Sequence, residues 1–402
     1  MSRERLGVIA DDYTGATDVA AALRRSGMRV VLHFGLPGAG AAVPDCDAVV
    51  IALKTRTIPP VQAVEQSLRA QRLLVERGAT RLYFKYCSTF DSTDEGNIGA
   101  VADALAEAAG EGLTIVCPAS PEHGRTVYQG HLFVGDRLLS ESSMRHHPLT
   151  PMTDPDLVRV LGRQTEHPVA ALPLPVVRRG VEAVRLELDQ LHAAGFRHVV
   201  TDAVLDQDLA TIGRACADRR LLTGGSGLAG ALGDPGARPD AAEADLPGGP
   251  GIVLAGSCST TTLGQVARAR EDMPSFRLRI GAEAEAMAWL RDHAGQTVML
   301  YASAPPEERG GPGEAEAFER TLAALGERAV ELGYRRLVVA GGETSGAVVR
   351  ALGVESVEVA AEADRGVPWC LSTTGPRIAL LLKSGNFGTR DLLSRAAGGG
   401  LR

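Results

Sequence analysis

A chain of 402 residues, 45% hydrophobic and 23% charged, has the make-up of an ordinary globular protein, which excludes disorder and collagen and leads us to expect two domains. The formal net charge of −7 comes from interspersed acids and bases, so no basic stripe with interleaved aromatics is present to grip nucleic acid. No apolar run of about eighteen residues occurs, so no membrane partner is expected. The apolar run near the N-terminus is too short for a signal-peptide core, and the six cysteines show neither CxxC nor zinc-ligand spacing. They read as reduced thiols of a cytoplasmic protein.

The first strand is read at Leu6 to Ala10 and is followed by the loop ADDYTGATD, then by a helix with Ala16, Val19, Ala20 and Leu23 at helical spacing. Ligands of α/β sheets bind at the carboxyl ends of strands. Strands are next expected at Arg29 to Phe34 and Asp47 to Leu53. Pro59 and Pro60 open a helix through Glu76 that stops at Gly78. The strand Leu82 to Tyr86 leads into KYCSTFDST, a helix from Asn97 to Ala109 and the strand Leu113 to Cys117. An alternating run from Val127 to Val134 suggests a hairpin, and Asp154 suggests a helix cap. Strands at Val169 to Leu172 and His198 to Thr201 alternate with helices at Gly180 to Ala194 and Leu205 to Arg219, before Leu221 to Thr223 meets GGSG.

Between Gly233 and Gly251 the composition turns to Pro, Gly, Ala and Asp, as in a linker. Beyond it, strands are expected at Ile252–Ala255, Phe276–Ile280, Val298–Ala302, Leu337–Ala340, Val357–Val359 and Ile378–Leu382. Helices are expected at Thr262–Arg270, Glu283–Asp292, Glu314–Leu332, Ser345–Leu352 and Thr389–Ala396, and a flexible loop at Ser303 to Glu314. The fold class is therefore α/β, in two domains, each a mostly parallel sheet flanked by helices. The boundaries are residues 1–232, a linker at 233–250 and residues 251–402, with the active site expected in the cleft between the domains.

Three turns of the second domain share one design of strand, small polar residues with glycine, then helix. They are AGSCSTTT from Ala255, AGGETSG from Ala340 and LKSGNFG from Leu382. Glycine lets backbone N–H groups approach a phosphate, and a helix start adds partial positive charge. Hydroxyls of Ser257, Ser259, Thr344, Ser345 and Ser384 would add donors, and Lys383 a full charge. Any one such turn taken alone reads more readily as a capped strand-to-helix connection than as a phosphate site, and none is a P-loop or GxGxxG. Their recurrence in one domain points to a nucleotide.

In the first domain Asp11, Asp12, Asp18, Lys54, Arg56, Lys85, Ser88, Asp91, Ser92, Glu122, His123 and Arg125 all follow strands. Carboxylates suit sugar hydroxyls, while Arg and Lys suit a carboxylate. Taken singly, each reads as a helix cap or surface ion pair. The adjacent Asp11 and Asp12 do so less readily, because two like charges at a strand end need a cation or proton donor to meet them. His146 and His147 have no further ligand at metal spacing and read as loop residues; Trp289 and Trp369 read as core.

Together ADDYTGATD, FKYCSTFDST, GRTVYQGHLFVGDRLLSES with HPLTPM after it, GGSGLAGAL, GSCS, GGETSGAV and LKSGNFG resemble the four-carbon acid sugar kinase family, and within it the 3-oxo-tetronate kinases, from Gly7 to Leu393. The resemblance implies a first domain that binds the acid sugar and a second that binds ATP with Mg²⁺. It implies transfer of a phosphoryl group to the 4-hydroxyl of a 3-oxo-tetronate, with the domains closing about the linker. Carried onto this sequence, it places Ser257 or Ser259, Gly341, Gly342, Glu343, Thr344, Ser345 and Gly385 at the nucleotide. Asp12 or Asp11 would orient or deprotonate the hydroxyl; Asp18, Thr14, Lys54, Arg56, Lys85, Ser88, Asp91 and Arg125 would bind the substrate, the metal ligands staying open. Tyr13 departs from the leucine or phenylalanine of many members, and lies beside the Asp pair. Threonate or erythronate kinase activity is the alternative in the same class. A non-catalytic regulator that binds nucleotide and sugar acid is the alternative outside it, and a dehydrogenase is disfavoured by the missing GxGxxG. A homo-oligomer is compatible with all of these.

Overall fold

The computed structural model describes residues 5–38, 45–147, 150–233, 246–305, 308 and 312–400. The chain divides into two compact units, one of Met1–Val31 with Gly35–Asp240 and one of Ala241–Arg402 with the short strand piece Leu32–Phe34. Most of the expected linker and part of the loop at Ser303 to Glu314 lie outside the described residues.

The strands in chain order are β1 Arg5–Ala10, β2 Val30–Phe34, β3 Ala48–Ala52, β4 Ala79–Lys85, β5 Thr114–Cys117, β6 Arg125–Tyr128, β7 His131–Val134, β8 Arg137–Leu138, β9 Val169–Leu172, β10 His198–Thr201 and β11 Leu221–Gly224. In the first unit they run in the order β3-β1-β4-β11-β5-β10-β9, and every pair is parallel. Runs such as AVVIA in β3 and HVVT in β10 are buried along their whole length, as strands covered by helices on both faces must be. β1 lies between β3 and β4, so the chain leaves it first to one side and later to the other, and the loops after these three strands open at one carboxyl edge.

The hairpin expected at Val127 to Val134 is β6 and β7, extended by β8 into a small antiparallel sheet. Its turn puts both Gln129 and Gly130 at positive φ, 51° and 71°. The buried carboxylate of Asp202 accepts the Gln129 and Gly130 N–H groups at 2.7 and 2.9 Å, and that of Leu174 at 3.0 Å. Asp156, not Asp154, caps the following helix by accepting from Arg159 N; Asp154 instead pairs with the Arg159 guanidinium.

The second unit continues with β12 Gly251–Ala255, β13 Ser275–Arg277, β14 Val298–Tyr301, β15 Arg336–Ala340, β16 Ser356–Asp364, β17 Val367–Ser372 and β18 Ala379–Lys383. The order is β13-β14-β12-β15-β18-β17-β16, parallel up to β18 and antiparallel beyond it. Two expectations fail here. The strand at Phe276 to Ile280 stops at Arg277, with Ile280 exposed, and β17 was not anticipated. β16 runs on to Asp364 and turns at Arg365 and Gly366, the glycine at φ 72°, so that Trp369 of β17 enters the core with no exposed surface. Trp289 is only half-buried, stacked on His293 with ring centroids 4.1 Å apart.

None of the six cysteines is in a disulfide, and among the described residues no helix is long and apolar enough to cross a membrane. The Asp202 carboxylate fixes three backbone donors that no apolar residue can satisfy. Asp202→Ala is therefore expected to lower stability by about 2–4 kcal/mol, read as an earlier first transition in urea; an unchanged transition would show that these bonds do not hold the hairpin.

Candidate active site

In the first unit the site is built from β1 outward. Asp11 and Asp12 follow β1, and Asp12 caps the helix Tyr13–Arg25: its Oδ1 accepts from Gly15 N at 3.0 Å and its Oδ2 from Thr14 Oγ1 at 2.8 Å. A Cβ at position 15 would fall 2.2 Å from that Oδ1, so glycine is what lets the carboxylate sit over the helix start. Asp11 N donates to Lys85 O on β4, while its carbonyl accepts from Thr55 N and Arg56 N on the loop after β3. These backbone bonds carry the Arg56 side chain to the pair. Asn97 locks the same loop by donating to Thr55 O and Ile58 O at 2.7 and 3.0 Å.

The guanidinium of Arg56 meets Asp11 in a two-bond fork, Nε to Oδ2 at 2.9 Å and Nη2 to Oδ1 at 2.8 Å, and Nη2 also donates to Asp12 Oδ1 at 2.6 Å. Its Nη1 faces Asp91 Oδ2 at 3.9 Å. The cation demanded by two adjacent carboxylates is thus Arg56, within the protein. The two acids differ in consequence. Asp11 is almost wholly buried, and burial pushes its carboxyl above the usual range despite Arg56. For Asp12 burial acts the same way but is outweighed by Arg56, Lys85, Thr14 and Gly15, so its carboxyl is held low. The Asp12 side chain keeps 22% of its surface against 4% for Asp11, which makes Asp12 the member of the pair that a ligand can touch.

Around this centre, Lys85 is buried and donates to Tyr86 O at 2.8 Å. Lys54 lies over the Tyr13 ring, 5.7 Å from its centroid. In the CSTFDST loop Phe90 holds φ at 53°, an unusual value for a bulky residue, and packs edge-on against Tyr86. That conformation sets Asp91, which accepts from Thr89 Oγ1 at 2.5 Å, toward Arg56, with Ser88 half-buried alongside in the sequence. Asp18, in the middle of the helix Tyr13–Arg25, keeps a buried Oδ1 with no hydrogen-bond partner among the described residues. Arg125 donates from Nη1 to His123 O, and its Nε is likewise buried and unpartnered among them. Glu122 pairs with Arg25 at 2.9 Å, and the His123 ring meets Ser120 Oγ.

In the second unit, Gly256 and Ser257 after β12 both donate from their backbone N to Ala340 O at the end of β15, and Gly341 N donates to Lys383 O at the end of β18. The three glycine turns are therefore sewn side by side. A Cβ at Gly256 would fall 2.2 Å from Thr344 Oγ1, and one at Gly385 2.8 Å from Ser257 Oγ, so backbones approach here more closely than any side chain allows. Gly341, at φ 126°, precedes the helix Gly342–Ala351. Gly256, Ser257, Gly341, Gly342, Glu343 and Thr344 line a cavity of about 350 Å³. Its other wall is Ala315, Phe318 and Leu322 with Glu314 and Glu319 from the helix Pro312–Glu331, a face that the helical periodicity of the sequence did not mark as functional.

The two serines of GSCS separate. Ser259 caps the helix Thr260–Asp272 through Thr262 N at 3.1 Å and donates to Gly385 O at 2.5 Å, whereas Ser257 lines the cavity. Gly385 stands behind Ser257, and the Ser345 hydroxyl is fully buried with no hydrogen-bond partner among the described residues. Lys383 differs from expectation: its ammonium is wholly buried beneath the turns rather than offered at their surface. No group of three metal-ligating side chains occurs among the described residues, and His147 is bonded to Thr150.

Two α/β units, one carrying a carboxylate pair clamped by an arginine and the other a glycine-lined cavity, present two chemically different candidate sites. The comparisons with known proteins agree. The model of a sugar-binding N-terminal domain matches residues 6–232, and that of a nucleotide-binding C-terminal domain residues 252–393. The chain belongs to the four-carbon acid sugar kinase family. It is 50% identical to the 3-oxo-tetronate kinase of Burkholderia multivorans, over 98% of this chain and 97% of that one, and 51% identical to that of Pseudomonas savastanoi pv. phaseolicola, with the same coverage. A solved structure from Salmonella typhimurium LT2 superposes with a TM-score of 0.89 at 41% identity, covering 98% of both chains; one from Haemophilus influenzae gives 0.82 at 39%, covering 98% of this chain and 99% of that one.

Ser257→Ala is expected to weaken nucleotide binding about tenfold with thermal stability unchanged, by loss of one hydrogen bond to a charged group. Ser259→Ala should instead cost about 1 kcal/mol of stability through loss of the cap. The reverse pattern, in calorimetric titration and thermal melts, would exchange the two roles.

Proposed function

We propose that this chain is an ATP-dependent kinase that transfers the γ-phosphoryl group to the 4-hydroxyl of a 3-oxo-tetronate. The observation that carries the reading is the Asp11–Arg56–Asp12 cluster at the carboxyl end of β1, in a chain half identical over its length to 3-oxo-tetronate kinases. Phosphoryl transfer through a loose transition state asks the protein mainly for alignment and charge neutralisation. Asp12, held ionised and partly exposed, accepts the hydrogen bond of the acceptor hydroxyl and aims its oxygen. Asp11 is buried too deeply for that contact and serves to hold Arg56, which in turn fixes Asp12.

Arg56 is occupied by the two aspartates, so the acid's carboxylate falls to Lys54 and Arg125, with Lys85, Thr14, Asp18, Ser88 and Asp91 completing the sugar-acid site. In the second unit Ser257, the Gly341–Gly342 turn and Thr344 receive the phosphates, Gly385 supports Ser257, and Phe318 with Leu322 faces the base. The short residues at the turns fit a nucleotide because they let phosphates approach the start of the helix Gly342–Ala351, whose first-turn residues Gly342, Glu343 and Thr344 line the cavity. Mg²⁺ would neutralise phosphate charge; with no carboxylate triad among the described residues, it would travel on the ATP.

Release of ADP with Mg·ATP and a panel of 3-oxo-tetronates, threonate and erythronate tests the assignment. Turnover of the 3-oxo acids alone is expected; turnover of the reduced acids alone would move the function to the sister activity, and no ADP from any of them would overturn the kinase reading. Asp12→Asn is expected to lower kcat by about 100-fold or more while the protein stays folded. Full turnover in that variant would remove Asp12 from the chemistry.

A further inference from the structure

Lys383 ends β18 and has no exposed surface. Its three ammonium protons have three acceptors: Thr262 Oγ1 at 2.8 Å, Ser384 O at 2.9 Å and Gly385 O at 2.8 Å. All are neutral, and among the described residues no carboxylate lies within ion-pair distance of it. A buried cation without a counter-charge is costly, and three dipoles compensate it only in part. Its position accounts for retaining it. Gly385 O also accepts from Ser259 Oγ and from Thr262 Oγ1, at 2.5 and 2.9 Å. The Lys383 carbonyl accepts from Gly341 N, and Gly385 packs directly on Ser257. The ammonium therefore ties its own turn to the start of the helix after GSCS, while the Lys383 carbonyl holds the Gly341 turn beside them.

We propose that Lys383 is a positioning residue whose buried charge finds its counter-charge in the nucleotide's phosphates, so that nucleotide binding draws a proton onto it. This rests on the reading of the second unit as the nucleotide site. Burial lowers the Lys383 ammonium from its ordinary value to about 7, so near neutrality the unliganded protein divides between charged and neutral lysine. The groups that meet it, Thr262 from the helix Thr260–Asp272, Ser384 and Gly385 from its own turn and Ala340 from β15, do not titrate. Cys370 on β17 is pushed up to about 12 and stays neutral; Glu343 and Cys258 are the titratable side chains of the two adjoining turns. Phosphate charge placed above the turns favours the protonated amine. By linkage, binding takes up a proton, and affinity falls as pH rises above about 7.

The test is calorimetric titration of the full chain with Mg·ADP at pH 8 in buffers of different ionisation enthalpy, where ADP itself is fully ionised. The wild-type chain is expected to take up close to one proton per nucleotide. Lys383→Met should abolish the uptake and weaken binding at least tenfold at pH 7, and Lys383→Arg, permanently charged, should bind without uptake. Wild-type binding with no proton uptake, or the same uptake in Lys383→Met, would overturn the inference alone; failure of the wild-type chain to bind Mg·ADP would overturn the nucleotide reading and the inference with it.

Discussion

Two carboxylates side by side at a buried strand end repel each other unless a cation joins them, and the fork from Arg56 to Asp11 with its third bond to Asp12 is that cation. Much of the first unit is arranged to deliver it. The parallel pairing of β1 with β3 brings the loop after β3 against Asp11, the Asp11 carbonyl fixes that loop's backbone, and Asn97 closes it from the far side. Gly15 leaves space for Asp12 to cap its helix while still reaching Arg56. The result is an asymmetric pair, one acid buried and pushed up, the other accessible and held ionised. Asymmetry of this kind gives two identical side chains different tasks.

The second unit reaches preorganisation by a different route. It packs small residues so tightly that glycines at 256, 341 and 385 stand where a Cβ would collide or nearly collide with a neighbouring turn. Hydroxyls of Ser259 and Thr262 and the ammonium of Lys383 converge on a single carbonyl, that of Gly385. Polar backbone at such turns is satisfied from beneath, which leaves the cavity side open to a ligand.

Most of the fold is legible in the sequence, since continuous apolar runs alternate with amphipathic helices and the strand-end loops carry the polar residues. The Asp pair and the glycine turns are visible there for the same reason. What is not visible is pairing at a distance. Arg56 stands 45 positions from Asp11, and only the sheet register shows that its charge is consumed inside the protein. Lys383 looks like a phosphate ligand until its burial is known, and the two serines of GSCS are equivalent until one is seen capping a helix. β17 is missed because the strand read at Val357–Val359 in fact runs on to Asp364 and turns back through Arg365 and Gly366, where no second apolar run was marked. Phe318 is missed because a helix pattern marks an apolar face without saying whether protein or ligand covers it.

The account turns on where the acceptor hydroxyl sits, and a crystal structure of the chain with a 3-oxo-tetronate bound decides it. The prediction is a terminal hydroxyl within about 3 Å of an Asp12 carboxylate oxygen, with Arg56 still bridging Asp11 and Asp12. An acid bound with its carboxylate on Arg56 and its hydroxyl turned away from the aspartates would contradict it.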